Sequence, residues 1–436
     1  MVKINIYIFN WRIGIEMKIL FVVGNNLQEN TSANISHNAY IKGLLESGYS
    51  VDIIMKSNDN IIIDNSMPRF NTKYYEISGL GFLNKYISLY KKKFEHKEEY
   101  SSITNLNSNQ SSLENNINSK KNFYSSIRNI CRRIYYLYIS FVGGAFENHI
   151  FWIKKASRIK LDKHYDLVIS NSTPNSAHEV VRILLKKNRI YAKHWVQIWE
   201  DPWYYDLYGK KSKKVKKAES KLLTAAEKIY YVSPLTLTNQ KIFFPKAANK
   251  MSVIPLPSMD NNENDKEKDF FCGYFGDYHS NVRNILPFYN TCKNNKIPTV
   301  ILGNSDFNLS STLEVKTHDR VSVDTLKQFQ EKVNVLVHIS NLKGGQIPGK
   351  IYHYSNSKHP ILVILDGSRE ERQKIFEYFK KYKRYYFCNN DEVSIYNALN
   401  QIKKGLKDIK NEPVKDFMPN QVAKKLVLDI FIEEEI

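Results

Sequence analysis

Apolar runs alternate with helical patterns from the first part of this chain onward. Residues 17–23 (MKILFVV) are apolar except for Lys18 and are followed by Gly24, a pattern typical of a parallel strand buried on both faces. After a polar loop, Tyr40 and Leu44 recur at helical spacing, and residues 51–55 (VDIIM) are predicted to form the next buried strand. This strand–loop–helix–strand unit predicts a doubly wound sheet, in which the loop after the first strand usually lies beside the ligand.

The alternation is interrupted and then resumes. Residues 101–122 hold 13 serines and asparagines, a composition typical of a flexible insertion. Helical sequence rich in basic and aromatic residues follows. Three more strands are then predicted, at 165–170, 192–198 and 228–232. We therefore predict an N-terminal, acceptor-side Rossmann-like domain over 17–255, with an insertion at about 85–122 and basic aromatic helices at 123–160.

A second series of strands and helices begins after a charged linker at 261–269. Its strands are predicted at 271–275, 298–302, 320–323, 333–339, 360–365 and 385–388. These define a second domain over 270–420, and the amphipathic residues 421–436 are expected to form a helix that packs back on the first domain. The predicted fold class is α/β, with two Rossmann-like doubly wound domains that face a cleft, where substrates usually bind.

Composition narrows the class of protein only loosely. The 436 residues carry 64 basic and 44 acidic side chains, a net charge of +20, which suits an anionic partner but equally a solvated basic surface. The four cysteines have no CxxC spacing, and no apolar window is long enough to span a bilayer, so we expect a cytoplasmic protein. Whether translation starts at Met1 or Met17 stays open.

The stretch 344–360 (GGQIPGKIYHYSNSKHP) contains the most informative motif. It follows a predicted buried strand, and a glycine pair and Pro348 lead into a helix with Lys350 in its first turn. Free backbone N–H groups and the positive end of a helix dipole attract anions, and a lysine adds a full charge. A phosphate or diphosphate is the ligand that this arrangement predicts, with a solvated surface lysine as the alternative.

Other polar and glycine residues follow the neighbouring predicted strands. Gly276 and Arg283 come after the first strand of the second domain, Gly303 and Asn304 after the second, and Ser322 lies in the third. The carboxyl ends of parallel strands meet at one edge of a sheet, so these residues are expected to converge with Lys350. Taken singly, each also fits a tight turn.

The stretch 344–364 (GGQIPGKIYHYSNSKHPILVI) resembles the donor-site motif of GT-B glycosyltransferases related to glycosyltransferase family 4, the group 1 proteins of bacterial surface polysaccharide biosynthesis. Residues 17–23, 166–184, 200–203 and 224–234 agree with the same family, and the resemblance spans roughly 17–60 and 165–430. It implies that a sugar moves from a nucleotide-sugar donor, bound by the C-terminal domain, to an acceptor hydroxyl beside the N-terminal domain.

The resemblance also implies roles for single residues. Lys350 matches the lysine that binds the donor diphosphate, Arg283 is a second phosphate partner, and Gly349 and Ile351 present backbone N–H groups to the same anion. His353 stands where the family has a glutamate that binds the ribose, which makes a non-catalytic nucleotide-sugar-binding protein the alternative. The full donor-side set is Gly276, Arg283, Gly303, Asn304, Ser322, Gly349, Lys350, Ile351 and His353. No cofactor or metal is expected.

On the acceptor side, Asp201 follows a predicted strand in the segment WEDPW and can orient or deprotonate an acceptor hydroxyl, or simply stabilise a turn. Gly24, Asn25, Asn26, Ser172 and Thr173 also follow strands of the first domain and are weaker candidates.

The basic aromatic segment 123–160 and the lysines of 210–221 suit an anionic membrane surface and a lipid-linked saccharide acceptor. Attachment to the inner face of the plasma membrane is therefore a further expectation, in the assembly of a capsule or O-antigen. An RNA-binding protein with a Rossmann-like core is the remaining alternative, although no nucleic-acid motif is present.

Overall fold

Two parallel β-sheets with helices packed against them make up the fold, which confirms the predicted α/β class. The structure is a computed structural model that describes residues 17–59, 62–81, 137–162, 164–207, 209, 211–259, 270–406 and 411–431.

The first sheet has seven strands in the order β3-β2-β1-β4-β5-β6-β7. Strand β1 lies inside the sheet and pairs in parallel on both sides, with Phe21 opposite Ile53 of β2 and Ile169 of β4. The strands are β1 (Lys18–Val23), β2 (Ser50–Lys56), β3 (Lys73–Ile77), β4 (His164–Ser172), β5 (Tyr191–Trp199), β6 (Lys228–Tyr231) and β7 (Met251–Val253). The accompanying helices are α1 (Ser32–Glu46), α2 (Ile150–Ala156), α3 (Ser176–Lys186), α4 (Lys213–Ala225) and α5 (Pro234–Phe243).

The second sheet has six strands in the order β10-β9-β8-β11-β12-β13, all parallel. The strands are β8 (Cys272–Phe275), β9 (Thr299–Leu302), β10 (Val315–His318), β11 (Val335–Ile339), β12 (Ile361–Leu365) and β13 (Tyr385–Asn389). The helices are α6 (Leu286–Asn294), α7 (Val323–Lys332), α8 (Lys350–Tyr354), α9 (Arg369–Lys380), α10 (Glu392–Gly405) and α11 (Pro419–Phe431).

One predicted strand lies elsewhere. The sequence placed the third strand of the second domain at 320–323, but β10 is Val315–His318, a short edge strand whose side chains alternate between buried and exposed. Ser322 is instead the N-cap of α7, where its hydroxyl accepts a hydrogen bond from the N–H of Thr325 at 3.2 Å. The short edge strands β3 and β7 were not predicted, because neither has the long apolar run of a central strand.

Residues 82–136, which contain the predicted insertion and the first part of the basic aromatic segment, lie outside the described residues. The described remainder of that segment is helical at 137–143, forms a 3₁₀ turn at Glu147–His149 and continues in α2.

The two sheets are joined by direct packing. Helix α11 lies against α1 so closely that a Cβ atom built on Gly43 would be 2.0 Å from the carbonyl oxygen of Pro419. Nearer the cleft, the hydroxyl of Tyr352 in α8 donates to the carbonyl of Val232, just after β6, at 2.8 Å. A continuous set of buried apolar side chains runs from β1 to α8 and α11, so the two sheets share a hydrophobic core at their junction.

Candidate active site

A cavity of about 360 Å³ lies between the two domains. The first domain contributes the start of α1 and the segment after β5, and the second contributes the segments that follow β8, β9 and β11. The lining residues include six from the first domain, Asn30, Thr31, Ser32, Ile35, Asp201 and Leu207. From the second domain they include Gly276, Asp277, Arg283, Gly303, Arg320, Asn341, Gln346, Gly349 and Lys350.

The glycine pair before α8 packs tightly against the first domain. Gly344 and Gly345 have φ angles of +95° and +71°, which favour glycine, and a Cβ on Gly344 would lie 2.3 Å from a methyl group of Leu207. The Ser233 hydroxyl donates to the carbonyl of Gly345 at 2.6 Å. These contacts fix the position of Lys350 relative to the first domain.

The anion-binding helix start predicted from sequence is only partly present. Helix α8 contains five residues, so its dipole is small, and the N–H of Ile351 donates to the Pro348 carbonyl at 3.3 Å. This N–H, which the resemblance assigns to the anion, is directed at a backbone carbonyl in this structure. Gly349 lines the cavity, and the charge of Lys350 rather than the helix dipole dominates the electrostatics here.

Three cations border the second-domain wall. Arg283 is held by two hydrogen bonds, from Nε to Oδ1 of Asn341 at 2.9 Å and from Nη1 to the carbonyl of Asp277 at 2.6 Å. Arg320 donates from Nε to Oδ1 of Asp277 at 3.0 Å. With Lys350, the two guanidinium groups give this wall three positive charges against the single carboxylate of Asp277, so the wall keeps a net positive charge.

Burial lowers the pKa of Lys350 to about 8, because the charged ammonium loses hydration. The positive charge of Arg320 also lowers this pKa, and the negative charge of Asp277 raises it. Burial also opposes ionisation of Asp277, yet the Arg320 guanidinium and the N–H of Asn304 hold the pKa of this carboxyl below its ordinary value. Asp277 is thus a fixed anion that orients Arg320, and a bound diphosphate would stabilise the protonated form of Lys350.

Gly303 closes the floor of the cavity at the end of β9. Its φ angle is +149°, and a Cβ atom there would lie 2.1 Å from the carbonyl oxygen of Gly276. The two predicted glycines therefore pack against each other. Because neither has a side chain, a ligand can approach the backbone at this point.

Asp201 faces this wall from the first domain. Gln346 donates from its side-chain amide to Oδ1 of Asp201, across the domain interface. Burial raises the pKa of Asp201 to about 6; Asp206 and Glu200 add to this rise, and Gln346 and Arg283 oppose it. A carboxylate with this pKa is ionised at neutral pH and can still accept a proton.

His353 lies one helical turn after Lys350 and is partly exposed, but it is outside the residues that line the cavity. Burial of the ring lowers the pKa of His353 to about 3, and Lys350 contributes to this. The imidazole is therefore neutral and can accept only one hydrogen bond.

Several predicted residues are not among those that line the cavity. Asn304 and Ser322 stabilise the loops around Asp277 and α7. On the first-domain side, a Cβ on Gly24 would lie 2.5 Å from the Pro174 ring, and the Asn26 amide donates to the carbonyl of Lys56 at 3.1 Å.

The remaining first-domain candidates also have contacts within the domain. Asn25 donates to the carbonyl of Thr173 at 3.0 Å, and Ser172 is fully buried. Gly24, Asn25, Ser172 and Thr173 therefore lie where β1 meets β4, and Asn26 links the end of β1 to β2; none of the five lines the cavity.

The sequence reading missed Asp277, Arg320, Asn341 and Gln346. Asp277 directly follows the glycine that was selected, and Gln346 lies inside the selected motif, so a polar residue next to a strand-end glycine was the available signal. Arg320 offered no signal, because it was assigned to a strand. Among the described residues, no group of three His, Cys, Asp or Glu side chains is arranged to hold a metal ion. Within the described ranges, every helix is too short or too polar to span a bilayer.

Neither protein-family models nor the sequences of curated proteins match this chain. Several solved structures do match it. A glycosyltransferase from Rickettsia africae aligns over 96% of this chain and 98% of its own, with 11% identity and a TM-score of 0.51. Anabaena HepE, solved in complex with UDP-glucose, aligns over 96% and 99%, with 11% identity and a TM-score of 0.52. A UDP-N-acetylglucosamine 2-epimerase aligns over 96% of both chains, with 9% identity and a TM-score of 0.54. This likeness shows that the chain has the GT-B fold.

Proposed function

We propose that this protein is a glycosyltransferase that moves a sugar from a nucleotide-sugar donor to a saccharide acceptor during surface polysaccharide assembly. The observation that carries the proposal is the composition of the interdomain cavity. Lys350, Arg283 and Arg320 lie on its second-domain wall, and Asp201 lies on the opposite wall.

The cationic wall suits the donor. Breaking the bond between a sugar and a nucleoside diphosphate develops negative charge on the leaving phosphate, and fixed cations in a partly desolvated cavity stabilise that charge. Lys350 and Arg283 are the proposed diphosphate partners, and no metal is needed where they supply the charge. The UDP-glucose bound by the similar Anabaena structure supports a uridine nucleotide as the first donor to test.

Asp201 is the proposed partner of the acceptor hydroxyl. It is on the first-domain side, faces the cationic wall and is ionised near neutral pH. A carboxylate in this position can accept a hydrogen bond from the acceptor hydroxyl and take its proton as the new glycosidic bond forms.

A basic surface on the first domain supports the proposal that the acceptor is linked to a lipid in an anionic membrane. Lys213, Lys216 and Lys217 of α4 and Lys246 border a groove whose base is formed by apolar side chains, among them Phe243 and Phe244. Lysine ammonium groups attract anionic headgroups, and aromatic side chains favour the bilayer interface. Sedimentation with phosphatidylglycerol vesicles, compared with phosphatidylcholine vesicles, tests this part of the proposal.

The decisive experiment incubates the purified protein with UDP- and GDP-sugars and a panel of saccharide and lipid-linked acceptors, and measures nucleoside diphosphate release and product mass. Acceptor-dependent release that is lost in Asp201→Asn supports the transferase. Tight nucleotide-sugar binding without turnover for any pair supports the non-catalytic alternative. Conversion of UDP-N-acetylglucosamine into an isomer without acceptor would instead indicate an epimerase. RNA binding that weakens steeply with salt would favour the RNA-binding alternative.

A further inference from the structure

We propose that Gln346 is a positioning residue that holds Asp201 across the cleft and links it to Arg283 on the phosphate side. This inference rests on the proposed transferase function, because it assigns Asp201 a role at the acceptor. Its physical basis is a set of hydrogen bonds between the two domains, all made by one buried carboxamide.

The side-chain amide of Gln346 makes three hydrogen bonds to the first domain. The nitrogen donates to Oδ1 of Asp201 and, at 3.1 Å, to Oδ1 of Asp206. The oxygen accepts from the N–H of Leu207 at 3.0 Å. Gln346 is only 8% exposed, so water does not substitute for these partners at little cost.

Only one orientation of this amide fits. Turning it over would place the amide oxygen against two carboxylates and the NH₂ group against a backbone N–H, so that all three contacts would be repulsive. A carboxamide also fits better here than a carboxylate, because a glutamate at this position would bring three carboxyl groups together. The contact therefore selects both the residue type and its orientation.

The backbone of Gln346 continues the connection into the second domain. Its carbonyl oxygen accepts from Nδ2 of Asn341 at 2.9 Å, and Oδ1 of Asn341 accepts from Nε of Arg283 at 2.9 Å. Asn341 is itself buried. A continuous path of hydrogen bonds thus runs from Arg283, a proposed diphosphate partner, to Asp201, the proposed acceptor carboxylate.

Four groups set the electrostatics of Asp201. Gln346 and Arg283 favour its ionised form, while Asp206 and Glu200 disfavour it, and Glu200 is itself 3.2 Å from His37. Removing the amide takes away the donor that the carboxylates of Asp201 and Asp206 share. The pKa of Asp201 then rises and its orientation is no longer fixed.

The test is Gln346→Leu, with Gln346→Asn as a milder variant that keeps the amide but is too short to reach both carboxylates. We expect kcat to fall about 10-fold or more. The acid limb of the pH profile should move up by about one pH unit, as for the loss of a hydrogen bond to a charged group. KM for the donor should change little, because Lys350 and Arg283 remain. Combining Gln346→Leu with Asp201→Asn should add little to the loss in Asp201→Asn alone.

The matched control is Asn356→Leu. Asn356 is a buried amide in the same domain that donates to the carbonyl of Met259 at 3.0 Å, outside the cavity. It should lower stability without moving the acid limb. An acid limb that moves equally in this control and in Gln346→Leu would overturn the inference.

A second readout separates this inference from the proposed function. Carbon-13 NMR of labelled aspartate carboxyls, with the Asp201 signal identified by its loss in Asp201→Asn, reports the titration of Asp201 without any turnover. If that titration shifts in Gln346→Leu while the wild type transfers no sugar, the positioning of Asp201 stands and the assignment of the reaction fails. If the wild type transfers sugar, and both kcat and the titration are unchanged in the two Gln346 variants, the inference is wrong.

Discussion

Nε2 of His37 lies 3.2 Å from Oε1 of Glu200 in the interior of the first domain, with the histidine side chain fully buried and the glutamate 10% exposed. The same nitrogen is 3.4 Å from the carbonyl oxygen of Ser172. Glu200 immediately precedes Asp201, so this pair connects α1 to the segment that carries the proposed acceptor carboxylate. Burial raises the pKa of Glu200, and His37 counteracts that rise.

Replacing His37 by leucine removes the group that lowers the pKa of Glu200. We expect a loss of about 1–3 kcal/mol of unfolding free energy at pH 8, the usual cost of a buried polar group left without a partner. At pH 5 the penalty should be smaller, because the raised pKa lets Glu200 take up a proton in the folded state. Urea unfolding at both pH values measures this, with Glu200→Gln as a background in which the part of the pH dependence that comes from Glu200 should disappear. An equal penalty at pH 5 and pH 8 would show that His37 acts through packing alone.

Lys350→Ala should weaken the binding of a nucleoside diphosphate by roughly 10- to 100-fold, the range expected for one hydrogen bond between charged groups. Binding of the corresponding nucleoside should change much less, because it carries no phosphate. Calorimetric titration with UDP and uridine measures both. Lys343→Ala is the matched control, since Lys343 lies in the same loop but is exposed and does not line the cavity. Equal losses for UDP and uridine would contradict the phosphate assignment.

The rate of sugar transfer should depend on pH through Asp201 and Lys350. Asp201, with a pKa of about 6, must be ionised to accept a proton, so kcat/KM should rise as the pH increases through 6. Lys350, with a pKa of about 8, must be protonated to bind the diphosphate, so kcat/KM should fall as the pH increases through 8. The expected profile is bell-shaped, measured from pH 5 to 9.

Two variants assign the limbs of this profile. Lys350→Arg should remove the alkaline limb, because a guanidinium keeps its charge across this range, and Asp201→Asn should leave too little activity to define an acid limb. A wild-type profile that is flat from pH 5 to 9 would contradict the roles of both residues.

Gly303→Ala should disturb the cavity as well as the fold. The new methyl group would collide with the carbonyl of Gly276, at 2.1 Å, and the backbone would hold a conformation that side chains disfavour. Gly48→Ala is the control, because Gly48 has a φ angle of +84° but an open environment. We expect a loss of about 1 kcal/mol for Gly48→Ala and a clearly larger loss for Gly303→Ala in urea unfolding. Only Gly303→Ala should also weaken UDP binding, and unchanged binding would separate this glycine from the donor site.

The order of strands and helices could be read from the sequence because each central strand is an apolar run and each helix repeats at its own period. These signals are local, and they placed β1, β2, β4 and the strands β8, β9 and β11 within a few residues. The edge strands β3, β7 and β10 were missed or misplaced, since a short strand with one exposed face has a weaker pattern.

The sequence alone determined the α/β class, the two-sheet organisation, the glycines at the strand ends and Lys350 after β11, because propensity, hydrophobic period and motif spacing act over short separations. Only the tertiary structure decided which polar groups meet. Arg320 reaches Asp277 from 43 residues away, and Gln346 reaches Asp201 from 145 residues away. Such contacts depend on how two separately wound sheets pack against each other, and that packing is a sum of many buried surfaces that no single stretch of sequence contains.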